Sequence, residues 1–135
     1  MLINLHLKIY GPNMDLKEIA ARGIEVQGPL YNERTKEIRD DTLVPIERKV
    51  CIFSLTSELR DRYGLIIDDK FEQSCDFFVS QLWDNRDLIE KLIAENESLL
   101  TFRIDKSLSV ETAIISADAI KKLGLLGIKC RFELI

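Results

Sequence analysis

The chain has one histidine, His6, and three cysteines, Cys51, Cys75 and Cys130. A zinc site or a Ser-His-Asp arrangement needs such side chains in sets, and this spacing supplies neither. His6 alternates with apolar neighbours in LHLKI and shares a polar strand face with Lys8, an ordinary surface position. The cysteines lack CxxC spacing and lie in the apolar runs VCIF, SCDFF and IKCRF. They read as three reduced, buried thiols, which are poor nucleophiles, and they point to a reducing compartment. Carboxylates adjoin at Asp40-Asp41 and Asp68-Asp69, where neighbouring side chains read as solvated loop and helix-start charge. Glu72 and Asp76 stand one helical turn apart and can share an exposed face with Asp69. The glycines match neither GxxxxGK[ST] nor GxGxxG. No catalytic constellation, metal site or cofactor motif is expected, and the chain reads as a non-enzyme.

The elements that must position these residues follow from periodicity. Residues 2–10 alternate, with Ile3, Leu5, Leu7 and Ile9 on one face and Asn4, His6, Lys8 and Tyr10 on the other. Gly11-Pro12 ends that strand. Asn13 is a candidate cap for a short helix carrying Leu16, Ile19 and Ala20, and Gly23 can terminate it. Residues 24–26 then start a strand. Residues 27–47 contain two prolines and a dense mixture of charges without a convincing period, and are expected to be a long loop. Residues 48–56, RKVCIFSLT, are apolar on both faces and predict an inner strand.

Phe71, Cys75, Phe78, Val79 and Leu82 form a helical stripe, and Leu88, Ile89, Leu92 and Ile93 form a second beyond the DNRD run. Leu100, Phe102 and Ile104 alternate with polar residues as a strand. Lys106-Ser107 suggests a turn into a strand over 110–115. Ser116 can cap a last helix, with Gly124 or Gly127 ending it. Ile128, Cys130, Phe132 and Leu134 are expected to face inward from a final strand. Residues 5–26 and 110–130 echo each other as strand, Asp-led helix and Gly-Ile corner. The fold class is therefore α+β, a two-layer α/β sandwich with a mainly antiparallel sheet, helices on one face and two pseudo-repeated βαβ units.

At 135 residues the chain fits one α/β domain, 1–135. Its 23 acidic and 19 basic residues give a net charge of −4. That argues against direct nucleic-acid binding and permits a basic protein partner. The opening MLINLHLKIYG reads as a strand and not as a signal peptide, and no apolar window approaches a membrane span. A cytoplasmic location without membrane contact is expected, with the oligomeric state open.

Three stretches carry a resemblance: LHLKIYGPNMDLKEIAARGIEVQG, RKVCIFSLTS and ISADAIKKLGLLGIKCRFELI. Together they resemble the bacterial family called domain of unknown function 4279 across nearly the whole chain. Phe53 stands where that family often has Trp, and the 27–47 segment is unmatched. The family carries no catalytic residues to transfer. The resemblance implies an immunity-type protein that neutralises a bacterial toxin by binding it. A basic nuclease domain is one candidate class of toxin.

The partner-binding residues expected on this reading are Tyr31, Glu33, Glu37, Asp40 and Asp41 in the loop, with Asp69, Glu72 and Asp76 on the helix. Tyr31 can supply apolar area with a hydrogen-bonding tip. The alternative is a small-ligand sensor using the open sheet face near His6, Lys8, Arg103 and Arg131.

Overall fold

The computed structural model describes residues 2–65, 70–104 and 114–134. The Asp68-Asp69 pair, the Lys106-Ser107 turn and residues 110–113 of the expected strand lie outside them. The elements run β1 (Leu2–Gly11), α1 (Leu16–Ala21), β2 (Gln27–Arg39), β3 (Thr42–Ser54), α2 (Ser57–Arg62), α3 (Phe71–Asp84), α4 (Arg86–Glu95), β4 (Glu97–Ile104), α5 (Ala117–Leu126) and β5 (Cys130–Leu134). The fold is mixed α+β. Its five strands lie in the order β2-β3-β1-β4-β5, antiparallel throughout except for the parallel pair β4–β5.

Alternation in β1 sends Leu5, Leu7 and Ile9 into the core, where Cys51 and Phe53 of β3 and Leu100, Phe102 and Ile104 of β4 join them. All five helices contribute to the same cluster, through Ile19, Leu59, Phe78, Ile89 and Leu123 among others. The expected helical stripe is borne out, with Phe71, Cys75, Phe78, Val79 and Leu82 all buried along α3. The β3 strand is internal, as its two apolar faces predict.

Local chemistry sets the helix ends. Asp15, not the expected Asn13, caps α1 by accepting from the Lys17 and Glu18 amides at 3.1 Å. Ser116 caps α5 through the Ala119 amide, and Gly127, at φ 74°, closes it in the left-handed conformation. Gly11 has a different duty. A Cβ there would run into the Asn96 side chain, so glycine lets the α4–β4 corner close on the end of β1 without displacing Asn96. Asn96 in turn donates from Nδ2 to the Leu92 carbonyl at 3.0 Å.

Several expectations are corrected. Residues 27–47 are not a loop but most of a hairpin, β2 and β3, joined through Asp40 and Asp41 at φ 50° and 61°. Two consecutive positive φ values are the pattern of the primed two-residue turn that matches strand twist, and Asp tolerates the left-handed region. The period was hidden because most of this hairpin has no core face. β1 pairs with β3 only from Lys49 onward, so Glu33–Arg48 runs on as a two-stranded arm with polar residues on both sides.

Residues 24–26 form a turn, although Ile24 and Val26 are buried. The helix α2 was not expected at all. At the other edge Cys130, Phe132 and Leu134 are exposed, because β5 has a neighbour on one side only. The βαβ echo does not yield two equal units. The chain leaves α1 for the far edge of the sheet, whereas α5 leads to β5 directly beside β4.

The two-residue turn also settles which backbone groups face which way. Arg39 and Thr42 flank the turn and exchange both hydrogen bonds, so pairing with β3 falls on the odd residues of β2. The same alternation carried across the sheet agrees with Ser54 N to Val26 O, Leu55 N to Leu5 O and Leu100 N to Lys129 O at 2.7, 3.0 and 2.9 Å. The amides and carbonyls of Asn32, Arg34, Lys36 and Ile38 therefore point away from β3. Replacing Asp40-Asp41 by the favoured pair, Asp40→Asn with Asp41→Gly, is expected to raise stability by about 1 kcal/mol in urea denaturation. An unchanged or lower value would contradict the turn.

Candidate functional site

The most elaborate side-chain arrangement lies on the open sheet face where the arm leaves the sheet. Tyr10, Lys8, Glu33, Arg48 and Glu97 come from four different strands and meet there through register alone. Glu33 opposes Arg48 across the hairpin, Tyr10 opposes Glu97, and Lys8 and Tyr10 follow each other on one face of β1. Arg48 Nε lies 2.6 Å from Glu33 Oε2, and Lys8 Nζ is 4.0 Å from the other oxygen. The Arg48 hydrogen bond, with the two cations, holds the Glu33 carboxyl below its usual range. The guanidinium also lies over the Tyr10 ring at 4.2 Å from its centroid. Tyr10 donates its hydroxyl proton to Glu97 Oε2 at 2.7 Å. That hydrogen bond is the main cause of a raised Tyr10 pKa, because the phenol is favoured over the phenolate.

A groove of about 830 Å³ lies between the arm and the α4–β4 corner, lined by Tyr10, Pro12, Thr35, Glu37, Ile46 and Asn96 among others. Several of the charges along its strand walls are already matched. Glu37 pairs with Arg39 at 3.2 Å and Glu47 with Arg34 at 3.6 Å. The arm ends in exposed apolar side chains, with Ile38 71% and Leu43 61% accessible on directly opposed positions.

The expected contact residues divide accordingly. Tyr31, Glu33, Glu37, Asp40 and Asp41 are all on the hairpin. Tyr31 is 39% exposed, and Asp40 and Asp41 form the tip. Glu33 is committed to Arg48 and Lys8, and Glu37 to Arg39, so the arm does not present an unbroken acidic surface. Asp69 lies outside the described residues. Glu72 and Asp76 belong to α3, whose apolar stripe packs into the core. Asp76 there accepts from Ser116 Oγ at 2.6 Å and steadies the start of α5. The structure thus joins five of the expected residues in one element and leaves two on another. Missed from sequence were Arg48, Glu97, Ile38 and Leu43. A strand-length reading of Thr35 to Val44, with Glu33 and Arg48 equidistant from the Asp-Asp turn, was the signal that could have found them.

The other candidate chemistry stays separate. Burial pushes the Cys51 and Cys75 thiols up to about 12, which keeps them protonated. Cys130, expected to be buried, is exposed. His6 Nδ1 is buried and meets no hydrogen-bond partner among the described residues. Desolvation, then the charges of Arg103 and Arg131, hold the His6 pKa below its ordinary value of 6.5, with Lys8 acting the same way and Glu133 opposing. Arg103 and Arg131 both lean on Glu133, at 3.7 and 3.9 Å. Among the described residues no group of three or more metal-ligating side chains gathers, and no helix is long and apolar enough to cross a membrane. Compared with protein-family models, with curated proteins and with solved structures, the chain matches none, and the resemblance to domain of unknown function 4279 gains no support from them.

A histidine whose folded pKa is depressed stays neutral while the unfolded chain takes up a proton. Stability is therefore full above pH 6.5 and falls as pH drops through the lowered His6 value. Melting temperature followed from about pH 8 to about pH 5 is expected to decline more steeply in the parent than in His6→Gln. Equal slopes would remove His6 as the cause. A double-mutant cycle between Tyr10→Leu and Arg48→Met is expected to give a coupling of about 0.5–1 kcal/mol, from the stacked cation. Zero coupling would mean the clamp does not act as a unit.

Proposed function

We propose that the chain is a non-enzymatic binding protein of the immunity type, which occludes a bacterial protein toxin by docking through its hairpin arm. The observation that carries this reading is the arm itself. Sixteen residues, Glu33–Arg48, extend past the last β1 partner of β3 and bury no core, yet are held at their base by the Tyr10–Arg48–Glu33 clamp. A feature that adds little to the core but is kept in a fixed direction is suited to recognition. Its exposed Ile38 and Leu43, with Tyr31 just beyond its root, give the apolar anchors that interfaces use, set among paired charges that form a polar rim.

The toxin's activity is a finer step. A basic nuclease is compatible with the net charge of −4, but only Asp40 and Asp41 at the tip are acids without a basic partner among the described arm residues. The sensor reading is less favoured. The cations of the open face near His6 are already taken up by Glu33 and Glu133, which leaves less charge for a ligand.

Shortening the arm tests the proposal. Removing residues 36–45 and joining Thr35 to Ile46 through Asn-Gly keeps a paired position on either side of a two-residue turn. In the native host the full chain is expected to copurify with one protein in a 1:1 complex and to protect cells that express it. The shortened chain is expected to melt within a few degrees of the parent and to lose both properties, with affinity falling about 100-fold or more. Retained binding and protection would overturn the assignment of the arm.

A further inference from the structure

We infer that the outer edge of β2 takes up an extended segment of the partner as a sixth strand of the sheet. This rests on the reading of the arm as the docking element and specifies how it docks. The edge is long, no strand among the described residues pairs with it, and its register is regular from Leu30 onward. β2 spans thirteen residues at the margin of the sheet, and its register turns the amides and carbonyls of Asn32, Arg34, Lys36 and Ile38 outward. No proline interrupts that run, since Pro29 lies before it. The opposite margin of the arm is different. There the outward positions of β3 are Leu43, Pro45 and Glu47, and Pro45 has no amide proton to give. One side of the arm is thus closed to strand addition and the other is left as a template.

Charge disfavours a second copy of this chain across the middle of the edge. Two copies can pair antiparallel only about an axis perpendicular to the sheet, which sets residues of the same face opposite one another. Centring on Arg34 opposes Arg34 to itself, and centring on Lys36 opposes Lys36 to itself. Centring on Thr35 opposes Arg34 to Lys36 and Glu33 to Glu37. Centring on Glu33 or Glu37 opposes a carboxylate to its own copy. Every register through the middle of the edge brings like charges together, which is destabilising at directly opposed positions.

The same positions specify a foreign strand. Arg34, Lys36 and Ile38 lie at alternate positions on one face. Arg34 leans on Glu47 only at the surface, with its side chain 87% exposed, and Lys36 has no acidic partner among the described residues. An antiparallel segment with an apolar residue followed at alternate positions by two carboxylates would oppose Ile38, Lys36 and Arg34 in turn. Backbone hydrogen bonds would supply the affinity and these three side chains the choice of sequence.

The test uses the full chain and a capped peptide, Thr-Val-Thr-Glu-Thr-Glu-Thr, with a Lys-for-Glu peptide as control. In the free protein the amides of Asn32, Arg34, Lys36 and Ile38 are expected to exchange with solvent faster than those of Glu33, Thr35, Glu37 and Arg39. The acidic peptide is expected to slow the four outward amides by about 10-fold at saturation and to bind about 10-fold tighter than the control. Lys36→Pro removes one outward donor without touching the β3 ladder, and is expected to weaken binding about 10-fold. The paired change Arg34→Glu with Lys36→Glu leaves the backbone unaltered and is expected to reverse the preference between the peptides.

Peptide perturbation centred elsewhere, or no effect on the four amides with millimolar peptide, would overturn the proposal. So would concentration-dependent dimerisation that protects those amides without peptide. If Lys36→Pro leaves the native 1:1 complex intact while the shortened arm abolishes it, strand addition fails and the docking role of the arm stands.

Discussion

The direction of the arm depends on one arginine. Arg48 is the last β3 residue before the strand meets β1, and its side chain faces both ways. It closes a cross-strand pair with Glu33 within the hairpin and lies over Tyr10, which belongs to the sheet. Tyr10 is itself tied to β4 through Glu97. A two-stranded ribbon without a third strand or a buried face is marginal in water by itself. Here its root is fixed to two other strands, β1 and β4, so the ordered sheet extends into a segment that could not order on apolar burial alone.

This division of labour explains where sequence variety sits. The core face of β1, β3 and β4 is apolar and shared by all five helices. The open face carries ion pairs and a histidine whose Nδ1 meets no hydrogen-bond partner among the described residues, and it braces the strands laterally. The arm carries neither duty. Beyond the clamp at its root its side chains pair with each other, with charges of both signs along it and apolar groups at its end.

The core elements were legible because burial imposes a period. The α3 stripe and the alternation of β1 and β4 could be read directly, and each apolar position chosen in them is buried or outside the described side chains. The hairpin was misread because its arm buries neither face fully and mixes charged with apolar residues on both, which leaves no clear apolar alternation to show. Its signature lies in cross-strand complementarity, Glu33 with Arg48 and Arg34 with Glu47, which appears only once the turn is placed. The final strand failed the other way. Cys130, Phe132 and Leu134 alternate cleanly, but alternation does not reveal that β5 would stand at an edge.

By itself, then, the sequence determined the α+β class, the faces of the core helices and strands, and the cap at Ser116, with Gly124 or Gly127 as the end of that helix, because these follow from local periodicity and backbone chemistry. It also supplied the residues Tyr31, Glu33, Glu37, Asp40 and Asp41 without their setting. Tertiary structure alone decided that those five share one hairpin, four of them on its projecting arm, and that Arg48 and Tyr10 hold the root of that arm. It also decided that β2 has a free edge. These are consequences of strand order and register, which join residues far apart in the chain and leave no mark in any one window of it.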